Sequence, residues 1–148
     1  KFYSELVEKV RHAGLQDRLI FLGEVPASEV ADWYRRCLVC VACPRYEAFG
    51  LTPFEAAACG CALICSRTGA FDMLVEPGVN GEMVPLDDAP ALAAALRRVL
   101  QDLPATHEMG QRARERVAAQ FALENEAAGI AQVYGQLFDQ ADEPAARG

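Results

Sequence analysis

Apolar residues come at helical spacing where the chain opens. Leu6, Val7 and Val10 share one stripe of residues 2–10, and Gly14 supplies a stop. The pattern then changes to short apolar runs without polar alternation: residues 18–23 (RLIFLG), 38–42 (LVCVA), 62–65 (ALIC) and 82–84 (EMV). Each reads as a strand buried on both faces. Helical segments lie between and after them. One runs from Pro26 and Ser28 to Arg36, with Val30, Trp33 and Tyr34 inward. The others are 52–59, a turn at 70–75, 91–100, 109–120 and 124–138. Pro77-Gly78-Val79-Asn80-Gly81 is a turn cluster.

Strands alternating with helices predict a doubly wound α/β domain with a parallel sheet, over residues 1–140. A polar tail, 141–148, is expected to fray. The chain does not begin with Met and opens directly on a helix, so it is expected to be part of a longer protein. In such sheets ligands bind at the carboxyl ends of the strands.

Composition narrows the ligand. Of 148 residues, 52% are apolar and 24% charged, an ordinary globular balance with room for a core. No apolar run approaches the roughly 20 residues of a membrane-spanning helix. A net charge of −7 argues against a nucleic-acid partner, which needs clustered Lys and Arg. It leaves room for a small anion held by backbone N–H groups.

All six cysteines fall between Cys37 and Cys65. Cys37, Cys40 and Cys43 have C-x2-C-x2-C spacing, which a metal cluster also uses. Residues three apart on a strand point to opposite faces, so the expectation is buried, inert thiols rather than a metal site. Free thiols at this density fit a reducing cytoplasm.

The segment Pro44-Arg45-Tyr46-Glu47-Ala48-Phe49-Gly50-Leu51-Thr52-Pro53-Phe54-Glu55 follows the strand at 38–42 and so lies at a strand's carboxyl end. Gly50 lets the backbone approach a ligand. The helix start at Thr52-Pro53 presents unpaired N–H groups and partial positive charge to a phosphate. Glu47 and Glu55 flank it, and carboxylates accept hydrogen bonds from sugar and ribose hydroxyls. A phosphate between two hydroxyl-bearing rings describes a nucleotide sugar. A second reading remains open at this point: Thr52-x-x-Glu55 is also a capping box, with Pro53 at the first helical position, and would explain Glu55 without a ligand. Asp87-Asp88 reads as a helix start. No D-x-D pair sits on a strand-end loop, so no metal or other cofactor is implied. His12 and His107 read as surface or capping residues, and Trp33 and Tyr34 as core.

The pair Glu47 and Glu55 forms an E-x7-E signature. The run YEAFGLTPFEAAACGCALI resembles the signature region of the family 4 (group 1) retaining glycosyltransferases of GT-B fold. RLIFLGEVP, GAFDMLVEPGVNGEMVPLDD and ALAAALRRVLQD resemble further family segments in the same order. The resemblance covers residues 18–102, and more loosely reaches 138. It implies a Rossmann-like carboxyl-terminal lobe that binds the donor, a UDP-, GDP- or ADP-sugar. Glu55 would bind the ribose and Glu47 the transferred sugar, as the residue closest to catalysis. The amides of Phe49, Gly50, Leu51 and Thr52 would hold sugar hydroxyls and diphosphate. The turn Gly23-Glu24-Val25 would border the base.

The resemblance also implies an amino-terminal lobe that binds a glycan or lipid-linked acceptor. The setting would be cell-envelope polysaccharide or lipopolysaccharide synthesis, in the cytoplasm, peripheral to the inner membrane. The last helix is expected to leave Val133, Leu137 and Phe138 partly exposed. Three departures stand out. The cations that grip the diphosphate in the family precede Lys1, and Arg45 reads as a solvated loop residue. Cys43-Pro44 replaces the usual Pro-Ser. Met73, beside Asp72, stands where a Glu is common. Alternatives are a nucleotide-sugar-binding module inactive in isolation, or a sugar-nucleotide epimerase of the same architecture.

Overall fold

The computed structural model describes residues 2–141, so the expected tail lies outside the described residues from 142 on. The chain divides after Val30 into two units. In the first, α1 (Phe2–His12) ends as the sequence predicts. Leu15 N–H donates to the Val10 carbonyl and Gly14 N–H to the Arg11 carbonyl, both at 3.0 Å, which closes the last turn. Tyr3 packs edge-to-face on Phe21, centroids 5.4 Å apart. The strand expected at 18–23 is absent. An apolar run becomes a strand only when a neighbour completes its ladder, and among the described residues of this unit there is none. Ile20 is consequently exposed.

The helix α2 (Ala27–Arg35) carries the chain across the division. The second unit is built on β1 (Val39–Ala42), β2 (Ala62–Ser66) and β3 (Gly81–Val84). Among the described residues these form one parallel sheet in the order β1-β2-β3. Val39 pairs with Ala62 and Leu63 with Gly81, and the register holds along both ladders. Every residue of β2 is buried, as a central strand covered on both faces requires.

Alternation along β2 sorts its side chains between two cores. Leu63 and Cys65 pack with Phe54, Ala56 and Ala57 of α3 (Leu51–Ala58), Phe71 and Leu74 of α4 (Phe71–Leu74), and Ala113 of α6 (Leu103–Gln120). Ile64 points the other way, to Ala95 and Val99 of α5 (Ala89–Gln101). Asp88 caps α5, its carboxylate accepting from Ala91 N–H at 2.8 Å, so the helix start read from Asp87-Asp88 holds.

Helix α6 begins six residues before the expected Met109. Asp102 caps it by accepting from Ala105 N–H at 3.0 Å, and Pro104 fits the first turn, where its missing N–H costs nothing. The buried Thr106 hydroxyl then donates to the Val99 carbonyl and ties α6 to α5. Helix α7 (Leu123–Ala141) follows, with Val133, Leu137 and Phe138 exposed as expected. Among the described residues no helix is long and apolar enough to cross a membrane.

Candidate functional site

The loop 43–50 leaves the carboxyl end of β1 and turns directly into α3. Gly50 makes that turn. It has φ 79°, a left-handed conformation, and is the helix N-cap. A Cβ there would lie 2.5 Å from Phe71 Cε1 and 2.7 Å from Glu47 Cγ, so only glycine fits. This overturns the capping-box reading. The cap has no side chain, Thr52 is the second helical residue, and Glu55 lies beyond the position from which it would reach back to a cap. Pro53 likewise sits inside the helix, not at its first position; it still lies in the first turn, where its lack of an N–H breaks no hydrogen bond.

The helix start is therefore open. No side chain caps it, and the N–H groups of its first residues have no acceptor within the helix. Phe49 and Leu51 beside it are 46% and 63% exposed, too open for core residues. Glu47 is half-buried, and its Oε1 accepts from Ala48 N–H at 3.0 Å, so the carboxylate lies along its own loop. Glu55 is exposed on α3, as is Thr52. Tyr34 adjoins both: burial pushes its phenol up, the nearby Cys40 thiol and Glu55 carboxylate add to this, and the Thr52 hydroxyl opposes it. The sequence gives Tyr34 only as core; its half-burial beside Thr52 and Glu55 emerges from the packing of α2.

A pocket of about 470 Å³ opens at the same helix start, between Phe49, Leu51 and Phe54 on one side and Val117 and Phe121 on the other. Phe49 stacks on Phe54 with centroids 4.9 Å apart, and Phe54 meets Phe121 edge-on at 5.0 Å. Neither carboxylate lines it. Gly23, Glu24 and Val25 belong to the first unit, where Gly23 and Glu24 are exposed and Val25 half-buried.

Arg45 is a surface residue, paired with Asp87 at 2.7 Å, and Arg67 pairs with Asp72 at 2.8 Å. Trp33 is half-buried, with the Arg36 guanidinium 4.7 Å over its ring. His12 and His107 are exposed.

The cysteines divide. Cys61 and Cys65 are buried, and burial, with neighbouring thiols adding, pushes both up to about 12. Cys40 is pushed up to about 11 for the same reasons. Cys37 and Cys43 are exposed, against the expectation of burial, because the first precedes β1 and the second follows it. The thiol of Cys43 is directed to the Ile64 carbonyl at 3.9 Å, and that of Cys61 to the Tyr34 carbonyl at 3.2 Å. Among the described residues no group of three or more His, Cys, Asp or Glu side chains is arranged to hold a metal.

The family model for glycosyl transferases group 1 matches residues 2–116. A lipopolysaccharide core biosynthesis mannosyltransferase, LpcC of Rhizobium leguminosarum bv. viciae, is 42% identical over 136 residues, covering 92% of this chain and 38% of that protein. The structure of sucrose-phosphate synthase from Thermosynechococcus elongatus superposes with a TM-score of 0.83 at 38% identity, over 93% of this chain and 34% of that one. Anabaena Alr3699/HepE, crystallised in complex with UDP, shares the fold with a TM-score of 0.83 at 24% identity, over 90% of this chain and 36% of its own. The fold is that of a Rossmann-like lobe of a GT-B transferase, and the chain belongs to the group 1 glycosyl transferases.

Proposed function

We propose that the intact protein moves a hexose-type sugar from a nucleoside-diphosphate donor to a glycan or lipid-linked acceptor with retention of configuration. This chain supplies the donor-binding lobe. The observation that carries the reading is the open start of α3, capped only by Gly50 and flanked by Glu47 and Glu55. A diphosphate placed there meets unpaired N–H groups and the positive end of the helix dipole. These stabilise the charge that builds as the diphosphate departs. Glu55 takes the ribose hydroxyls and Glu47 the hydroxyls of the transferred sugar. The amides of Phe49, Gly50, Leu51 and Thr52 complete the cradle, and the family resemblance of RLIFLGEVP assigns Gly23-Glu24-Val25 to the base.

A mannosyltransferase of lipopolysaccharide core synthesis among the relatives makes a mannosyl donor and an envelope acceptor the first to test. The reaction would take place in the cytoplasm, at the inner face of the membrane. The acceptor lobe and the diphosphate-gripping cations would come from the rest of the protein, so this chain alone binds donor without turning it over.

The test is a titration with UDP, GDP and ADP followed by backbone amide NMR, with Glu55→Ala alongside. One nucleotide is expected to move the amides of residues 49–55 and 23–25, and the variant to bind it less tightly. Silence with all three nucleotides, in this chain and in a longer one restoring the preceding segment, refutes the reading.

A further inference from the structure

The segment that leaves β2, residues 66–71, underlies the loop carrying Glu47 along its whole length. At the start of the loop, the buried Ser66 hydroxyl donates to the Pro44 carbonyl at 2.9 Å. At its end, the Phe71 ring, 1% exposed and fixed in the core, lies directly beneath Gly50 and beside the Glu47 stem. Between these anchors stands Gly69, with φ 57°. A Cβ on Gly69 would fall 2.7 Å from the Glu47 carbonyl oxygen and 3.2 Å from that of Ala48. Those are backbone atoms of the loop itself, so an added methyl cannot be absorbed by a side-chain rotation. The Glu47–Ala48 peptide must move.

We infer that Gly69 is a positioning residue: its missing side chain sets the height of the Glu47–Ala48 peptide above the sheet, and through it the direction of the Glu47 carboxylate toward the transferred sugar. The inference rests on the proposed role of Glu47. Its Oε1 accepts from Ala48 N–H at 3.0 Å, which ties the carboxylate to that peptide, so a shift of the peptide shifts the oxygens with it. Ribose recognition by Glu55 and the diphosphate-facing amides of Leu51 and Thr52 sit on α3 instead, which Phe54, Ala56 and Ala57 anchor in the core. Displacing the peptide therefore weakens the hold on the sugar and leaves the hold on the nucleotide.

Gly78 provides the control. It also has a left-handed φ, 78°, yet a Cβ there meets nothing within 4 Å. Gly78→Ala reports backbone strain alone; Gly69→Ala adds displacement of the loop. The experiment measures, for this chain, affinities for UDP, GDP, UDP-glucose and GDP-mannose, together with the Ala48 amide shift. For the nucleotide that binds, Gly69→Ala is expected to keep the affinity for the bare diphosphate within about twofold. It loses the discrimination between diphosphate and diphosphate-sugar by about tenfold, the scale of one weakened hydrogen bond to a charged group. The Ala48 amide moves as its hydrogen bond opens. Glu47→Gln loses the same discrimination, and Gly78→Ala changes neither readout. Ser66→Ala, which frees the Pro44 carbonyl without a clash, is expected to give the same pattern more weakly, and serves if Gly69→Ala fails to fold.

If Gly69→Ala and Ser66→Ala both behave like Gly78→Ala, the positioning role is wrong while the Glu47 reading stands. If the Ala48 amide moves but neither Gly69→Ala nor Glu47→Gln affects discrimination, the Glu47 reading falls and the inference falls with it.

Discussion

Replacing Asn80 tests how the turn cluster between α4 and β3 is held. Asn80 is 1% exposed in a loop whose neighbours Pro77, Gly78 and Val79 are all exposed. Its Nδ2 donates to the Leu74 carbonyl at 2.9 Å, and its Oδ1 accepts from Glu76 N–H at 2.7 Å. One side chain thus satisfies a donor and an acceptor that neither the short α4 nor the sheet reaches. Asn80→Ala leaves both unpaired. An orphaned buried group costs about 1–3 kcal/mol, and water from the nearby surface offsets part of this, so the expected loss is about 2–4 kcal/mol. Against a total of about 5–15 kcal/mol that is large. In urea it lowers the midpoint by about 1–2 M with an unchanged slope.

Asn80→Asp sharpens the test. At pH 8 a carboxylate would set a second acceptor against the Leu74 carbonyl and bury a charge, so this variant is less stable than Asn80→Ala. Burial raises a carboxyl above its unfolded value. The penalty is therefore present when the unfolded state has lost its proton, and it shrinks as the pH falls toward 5. A midpoint shift below about 0.3 M for Asn80→Ala, or an Asn80→Asp variant as stable as the parent at pH 8, refutes the account.

Two further outcomes follow from the same structure. Cys61 and Cys65, held near 12 when folded against an ordinary value of 9.0, keep their protons between pH 9 and 12 while the unfolded chain loses them. Stability then falls as pH rises above 9, by up to about 1 kcal/mol per pH unit for each thiol; at pH 8 iodoacetamide should label Cys37 and Cys43 well before either buried thiol, and a flat alkaline profile would count against the assignment. Asp88→Ala and Asp102→Ala each remove a helix cap and should each cost about 1 kcal/mol in urea denaturation, with equal and additive effects on the midpoint; an unchanged midpoint would mean the caps are replaced by water without loss.

What the chain's pattern determined by itself was local or repeated. The short runs at 38–42, 62–65 and 82–84, bounded by helical segments and turn signals, read as parallel strands, and they are β1, β2 and β3. Gly14 ends α1 and Asp88 begins α5 because each acts within one turn of its own position. The E-x7-E spacing and its flanking segments pointed to the family, and the family match agrees with them.

Tertiary structure decided what depends on a distant neighbour. Residues 18–23 have a strand's composition, but among the described residues of their unit no strand pairs with them, a fact no local pattern contains. Thr52 and Glu55 have a capping box's spacing, yet the helix starts at Leu51 and its cap is Gly50, where the Phe71 ring, anchored in the core, fills the space a side chain would need. Gly69 opens a segment that resembles the family, but no local pattern says what lies against it. Its weight comes from the carbonyl of Glu47, brought over it from the neighbouring strand by the parallel register of β1 on β2.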